Sequence, residues 1–215
     1  KSIWCDETSG DYYDFIQPAE WKQKKIGIVV ADVIGHGISS ALLMTTARAF
    51  FRERILNPGS STALVADVNQ RIVRDIEDLN LFITLFYSEI DIKEKIIRWV
   101  KAGHEPAILY TPQTDSYELL AGEGLPLGVM EDAAYKESQK QISSGQIILI
   151  GTDGIKEAVD THGEMFGKER LLNIIRDYAA QPAREILDKV FDALNEFRHP
   201  LEPDDDETLV IIKVL

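Results

Sequence analysis

The middle third of the chain constrains the fold more than any other stretch. Between Phe82 and Leu120 lie runs rich in Ile, Tyr, Phe and Val: Phe82 to Ile92, Lys95 to Lys101, Ala107 to Tyr110 and Tyr117 to Leu120. Short polar turns, at Lys93-Glu94 and Pro112 to Asp115, separate them. Such spacing predicts a meander of antiparallel strands. It excludes a doubly wound parallel sheet, which needs a helix after nearly every strand.

Helical patterns flank this block. Lys25 to Asp32 reads as a buried strand, broken by Gly35-His36-Gly37. Ile38 to Leu56 follows as a helix, with Leu42, Met44, Ala49 and Phe50 among its apolar positions, stopping before Asn57-Pro58-Gly59. A second helix starts at Ser60 or Ser61 and repeats Leu64, Val68, Ile72 and Ile76. Beyond the meander come strands at Ala134 to Ile142 and Gln146 to Ile150, helices at Lys168 to Ala180 and Ala183 to Arg198, and a last strand at Thr208 to Val214. The order predicts an α+β fold of packed antiparallel sheets with helices outside. The last two helices carry apolar stripes (Leu171, Leu172, Ile175 and Ile186, Val190, Leu194). These are read as core, with a homodimer surface as the alternative. Trp4, Trp21 and Trp99 are expected in cores or under loops.

Residues 1–215 read as one domain, since no linker, repeat or low-complexity tract divides them. The net charge of −13 repels phosphate backbones and anionic lipid, so neither nucleic acid nor membrane is an expected partner. No apolar run is long enough to insert in a bilayer, and no signal peptide opens the chain, so a cytoplasmic location is expected. Cys5 is the only cysteine, so an internal disulfide framework and a thiolate zinc site are both read as excluded.

Aspartates stand at the edges of the apolar strands. Asp32 ends Val29-Val30-Ala31-Asp32, and Asp153 ends Ile150-Gly151-Thr152-Asp153. Asp204, Asp205 and Asp206 precede the last strand, and Asp11 lies in Gly10-Asp11-Tyr12-Tyr13-Asp14-Phe15. Each alone suits a turn or a helix cap. Brought together, they would need a cation, and an all-oxygen donor set favours Mg²⁺ or Mn²⁺ over zinc. Gly35-His36-Gly37 lacks the Lys-Ser/Thr pair of a P-loop. Its glycines are read as backbone space beside the metals, and His36 as either a structural residue or a general acid. His104 is read as a turn residue near the site, and His162 and His199 as surface residues.

Seven segments occur in order: Gly10 to Phe15, Ala31-Asp32-Val33-Ile34-Gly35-His36-Gly37, Phe82 to Tyr87, Ala102-Gly103-His104-Glu105-Pro106, Leu125-Pro126-Leu127-Gly128, Thr152 to Ala158 and Asp205 to Val210. The series resembles the bacterial branch of the metal-dependent protein phosphatases (PPM family, type 2C-like). That branch is named for the stage II sporulation phosphatase E and includes regulators of the general-stress sigma factor. The resemblance implies two packed antiparallel sheets flanked by helix pairs. It also implies serine/threonine phosphoprotein phosphatase activity with two Mn²⁺ or Mg²⁺ ions. By motif, Asp32 would bridge both ions, and the Val33 carbonyl and Asp11 would serve one. Asp153 with Asp205, or alternatively Asp206, would serve the other; Asp14 sits in the motif as a lesser candidate. The implied partner is a small phosphoprotein of the anti-sigma-factor antagonist type, and an N-terminal sensor module would precede the domain. The alternative is a catalytically weak phosphatase fold used for binding or signalling, although no ligand aspartate is missing. Ser9, Lys101 and Gly151 depart from the family pattern, at positions expected to touch no ligand.

Overall fold

The computed structural model describes residues 1–22, 24–57, 59–76 and 81–215. Among these, the strands are β1 (Ser2–Ile3), β2 (Tyr12–Ile16), β3 (Lys25–Val33), β4 (Ile83–Asp91), β5 (Ile96–Ala102), β6 (Ala107–Thr111), β7 (Ser116–Leu120), β8 (Glu137–Gln141), β9 (Ile147–Gly151) and β10 (Glu207–Lys213). The α-helices are α1 (Ile38–Arg54), α2 (Ser61–Asp75), α3 (Gly154–Glu157), α4 (Gly167–Asp177) and α5 (Ala183–Arg198). One sheet runs β2-β3-β4-β5-β8 and the other β1-β10-β9-β6-β7, with antiparallel neighbours throughout.

The two-residue period of a strand sorts its side chains between two cores. In β3, Ile28 and Val30 pack between the sheets with Phe86, Leu109, Ile148 and Val210. Val29, Ala31 and Val33 face the other way, onto Leu43, Phe51, Val68 and Ile72 of α1 and α2. In the second sheet, Ile147, Leu149 and Leu209 meet Leu171, Ile175, Ile186 and Val190 of α4 and α5. The result is four layers, helices–sheet–sheet–helices, as the fold class predicts. Strands covered on both faces read as unbroken apolar runs, which is why Ile28 to Ala31 and Ile147 to Ile150 stood out in the sequence.

The meander is divided between the sheets. β4 pairs with β5 and β6 with β7, but the far edge of β5 is taken by β8. Gly103 to Pro106 carries the chain from one sheet to the other. Along α1 the fully buried stripe is Leu43, Ala47 and Phe51; of the apolar positions noted in the sequence, Met44 and Phe50 pack half-buried against that core, whereas Ala49 is exposed and Leu42 is 66% exposed. The α2 pattern holds, and Ser60 caps that helix by accepting the Ala63 N–H at 3.2 Å. Pro58, in the expected helix stop, lies outside the described residues. The α4 and α5 stripes are buried against the second sheet, so they offer no dimer surface. Trp99 lies in the inter-sheet core and donates to the Ala121 carbonyl at 2.9 Å. Trp21 packs under α1 and α2, whereas Trp4 is exposed, contrary to expectation. Among the described residues, no helix is long and apolar enough to cross a membrane.

Candidate metal centre

Strand register carries Asp11 to Asp32. β2 and β3 pair Tyr12 with Ala31, and one further step sets Asp11 opposite Asp32. Asp32 is in turn paired with Thr84 of β4. In the second sheet, β10 pairs Leu209 with Gly151, which places the residues after β9 beside those before β10. Asp153 and Asp205 therefore share one strand end. A bond between sheets joins the halves: the Thr152 hydroxyl donates to Asp11 Oδ2 at 2.8 Å.

Burial dominates the electrostatics of this cluster. It pushes Asp32 up to about 7, with the charges of Asp153, Asp205 and Asp206 adding to the rise. Burial likewise pushes Asp11 up to about 8, helped by the charge of Asp32 and opposed by the bond from the Thr152 hydroxyl. Asp205, although exposed, is also raised, by partial desolvation and then by the charges of Asp153 and Asp206. Among the described residues, no three of these carboxylates bring oxygens within 4.8 Å of one another, as like charges require.

Asp205 and Asp206 have different surroundings. Both oxygens of the buried Asp206 are taken: Oδ1 accepts the Cys5 N–H at 3.0 Å, and Oδ2 accepts the Ser9 hydroxyl and the Gly10 N–H, each at 2.8 Å. Asp206 thus anchors the loop that presents Asp11. Asp205 is exposed, and one of its oxygens accepts the Asp206 N–H at 2.8 Å. Asp14 faces elsewhere, in a two-bond pair with Arg52 at 2.7 and 3.0 Å that offsets its partial burial and holds its carboxyl below the usual range. Ser9, expected to touch no ligand, accepts the Asp11 N–H at 3.0 Å while donating to Asp206. A glycine there would have no hydroxyl to link the two.

The glycines serve conformation and close approach. Gly35 and Gly37 have φ of +80° and +84°, and a Cβ at either would meet no atom closer than 3.7 Å. Both conformations lie in the region that favours glycine. Gly154 is the reverse case: its Cβ would lie 2.2 Å from the Asp206 carbonyl oxygen. Gly154→Ala is expected to destabilise the fold by roughly 1–3 kcal/mol, measured as a drop in the urea midpoint.

His36 is exposed, with Nδ1 2.6 Å from Asp6 Oδ2; that bond raises its pKa. His104 is buried rather than a simple turn residue, and its Nδ1 meets the Thr84 hydroxyl at 2.8 Å. It braces β4 behind Asp32. Burial lowers its pKa to about 4. An imidazole neutral in the native state and of ordinary pKa when unfolded gives stability that is full above about 6.5 and lost as pH falls toward 4. Wild type should lose up to about 3 kcal/mol over that window that His104→Asn does not, read from urea midpoints at paired pH values. His162 and His199 are exposed, as expected.

Residues 22–215 match the family model described as stage II sporulation protein E (SpoIIE). The chain belongs to the SpoIIE family. It is 28% identical over 212 residues to the phosphoserine phosphatase RsbU of Bacillus subtilis, covering 99% of this chain and 61% of that protein. It is 28% identical to the phosphoserine phosphatase RsbP of the same organism, covering 97% of this chain and 50% of RsbP. The chain thus spans roughly half to three-fifths of the curated relatives it matches. Among solved structures, the SiaA-PP2C domain of Pseudomonas aeruginosa superposes with a TM-score of 0.84 at 22% identity, over 99% of this chain and 85% of that one. The RsbU and RsbW domains of Rv1364c from Mycobacterium tuberculosis give a TM-score of 0.80 at 21% identity, over 97% of this chain and 56% of that one. These likenesses establish the fold shared with other SpoIIE-family and PP2C domains.

Proposed function

We propose that this SpoIIE-family domain is a metal-dependent serine/threonine protein phosphatase, acting in the cytoplasm on a small regulatory phosphoprotein of the anti-sigma-factor antagonist type. The observation that carries the reading is the partnerless Asp11 Oδ1, buried among carboxylates that raise one another's pKa. An orphaned buried carboxylate oxygen is costly, and an all-oxygen set suits Mg²⁺ or Mn²⁺. Asp11, Asp32, the Val33 carbonyl, Asp153 and Asp205 are the residues that would hold two such ions. When bound, these ions supply Lewis acidity, lowering the pKa of a water and neutralising phosphoryl charge.

The rest of the chemistry falls to the chain itself. Thr152 and Ser9 hold Asp11 in place, and Asp206 fixes the loop that carries Ser9 and Asp11. His104 and Thr84 stiffen the strand beside Asp32. His36, whose proton Asp6 stabilises, is the candidate to protonate the departing serine oxygen. RsbU and RsbP bear the name phosphoserine phosphatase, which supports the substrate class. The test is phosphate release from a serine-phosphorylated anti-sigma antagonist with Mn²⁺ and with chelator. Metal-dependent release is expected, with little hydrolysis of oligonucleotides. Tight binding without release would favour a catalytically weak signalling module.

A further inference from the structure

Beside the aspartates, the fold gathers a second and chemically different set of donors. Among the described residues, Cys5, Asp6 and His36 each offer a ligand atom, and these lie within 4.8 Å of one another. Asp6 Oδ2 and His36 Nδ1 are 2.6 Å apart although 30 residues separate them in sequence. Cys5 is half-buried, and its N–H is held by Asp206 at 3.0 Å; Asp6 and His36 face solvent.

We propose that Cys5, Asp6 and His36 form a binding site for one zinc-class transition-metal ion, separate from the all-aspartate centre. A thiolate, an imidazole and one carboxylate make a donor set that zinc accepts and that magnesium does not favour. With zinc–ligand bonds of about 2.0–2.3 Å, tetrahedral ligand atoms stand roughly 3.3–3.8 Å apart. The three side chains reach that spacing by drawing in slightly at the sulfur and loosening the Asp6–His36 contact. Water completes the fourth position, and the thiol proton leaves to solvent. A single cysteine in the sequence argued against a thiolate zinc site. The structure supplies the mixed partners it lacked, one from the adjacent residue and one from the β3–α1 loop. Occupancy would pin that loop to residues 5 and 6 and remove His36 from its bond with Asp6.

The test is titration of the 215-residue protein with Co²⁺, a spectroscopic stand-in for zinc, in excess Mg²⁺. One equivalent should produce thiolate-to-cobalt charge-transfer absorption in the near ultraviolet, and Zn²⁺ should displace it. Cys5→Ser should abolish the band. Asp6→Asn and His36→Gln should each weaken binding by at least roughly tenfold. Thermal unfolding with Mn²⁺ shows whether each variant remains folded. Absence of the band in wild type overturns the proposal. So does a band of equal affinity in folded Asp6→Asn and His36→Gln, because the cysteine would then be binding alone.

Discussion

Asp32→Asn is expected to abolish phosphatase turnover while leaving the fold intact. Asp32 is the carboxylate proposed to serve both ions, and it lies within β3 rather than on a loop that could readjust. Losing the metal contribution should raise the barrier by several kcal/mol, a fall in rate of roughly a thousandfold or more. Steady-state phosphate release at saturating Mn²⁺ checks this. Near-normal rates would remove Asp32 from the metal centre. Because the substitution also removes a buried charge facing other carboxylates, the metal-free variant should melt no lower than wild type.

Stability without metal should fall steadily as the medium becomes alkaline. In the folded state Asp11 and Asp32 are raised to about 8 and about 7, above the 3.8 of an ordinary aspartate. Groups raised in this way give stability that is fully present below their unfolded pKa. It is lost as pH rises through the folded values. Between about pH 6.5 and 8.5, beyond the range in which His104 titrates, the loss should be roughly 2–3 kcal/mol. For a domain of about 200 residues that is a drop of roughly 5–10 °C in Tm. Mn²⁺ at a hundredfold excess over Kd should return about 2.7 kcal/mol. It should also flatten the pH dependence, since cations favour the ionised carboxylates. Asp11→Asn should flatten it without metal. Thermal unfolding of both proteins, with chelator and with Mn²⁺ at several pH values, gives the answer. An equal slope in the metal-free variant and wild type would show that Asp11 carries no native-state proton.

Much of the layered fold was legible because doubly covered strands must be continuously apolar, and Ile28 to Ala31 and Ile147 to Ile150 are. Period-four apolar residues were sufficient to place α2. The buried face of α1 was less legible, since Ala47 and Ser40 are buried and the larger Leu42 is not; size misleads when a helix packs closely on a sheet. Sheet membership of β5 and β6 was illegible, since pairing of β5 with β8 is non-local and leaves no mark in the intervening turns. The aspartates could be named from motif resemblance, but composition could not bring them together. The supporting groups left fainter signals still. Ser9, Thr152 and His104 look like ordinary loop residues until the register sets them against Asp11, Asp206 and Thr84.

The anchoring of the early loop by Asp206 also sets a timetable for synthesis. Cys5, Ser9 and Gly10 leave the ribosome ahead of the rest of the domain, yet their acceptor is made about 200 residues later. β1 waits as long for its neighbour, because Ser2 pairs with Thr208. A nascent chain can assemble β2 to β5 and their helices well before this, but the loop bearing Asp11 stays untied until β10 has cleared the exit tunnel. Synthesis paused before Asp206 is made leaves a nearly whole domain whose Asp11 loop lacks all three of the bonds that tie it to Asp206.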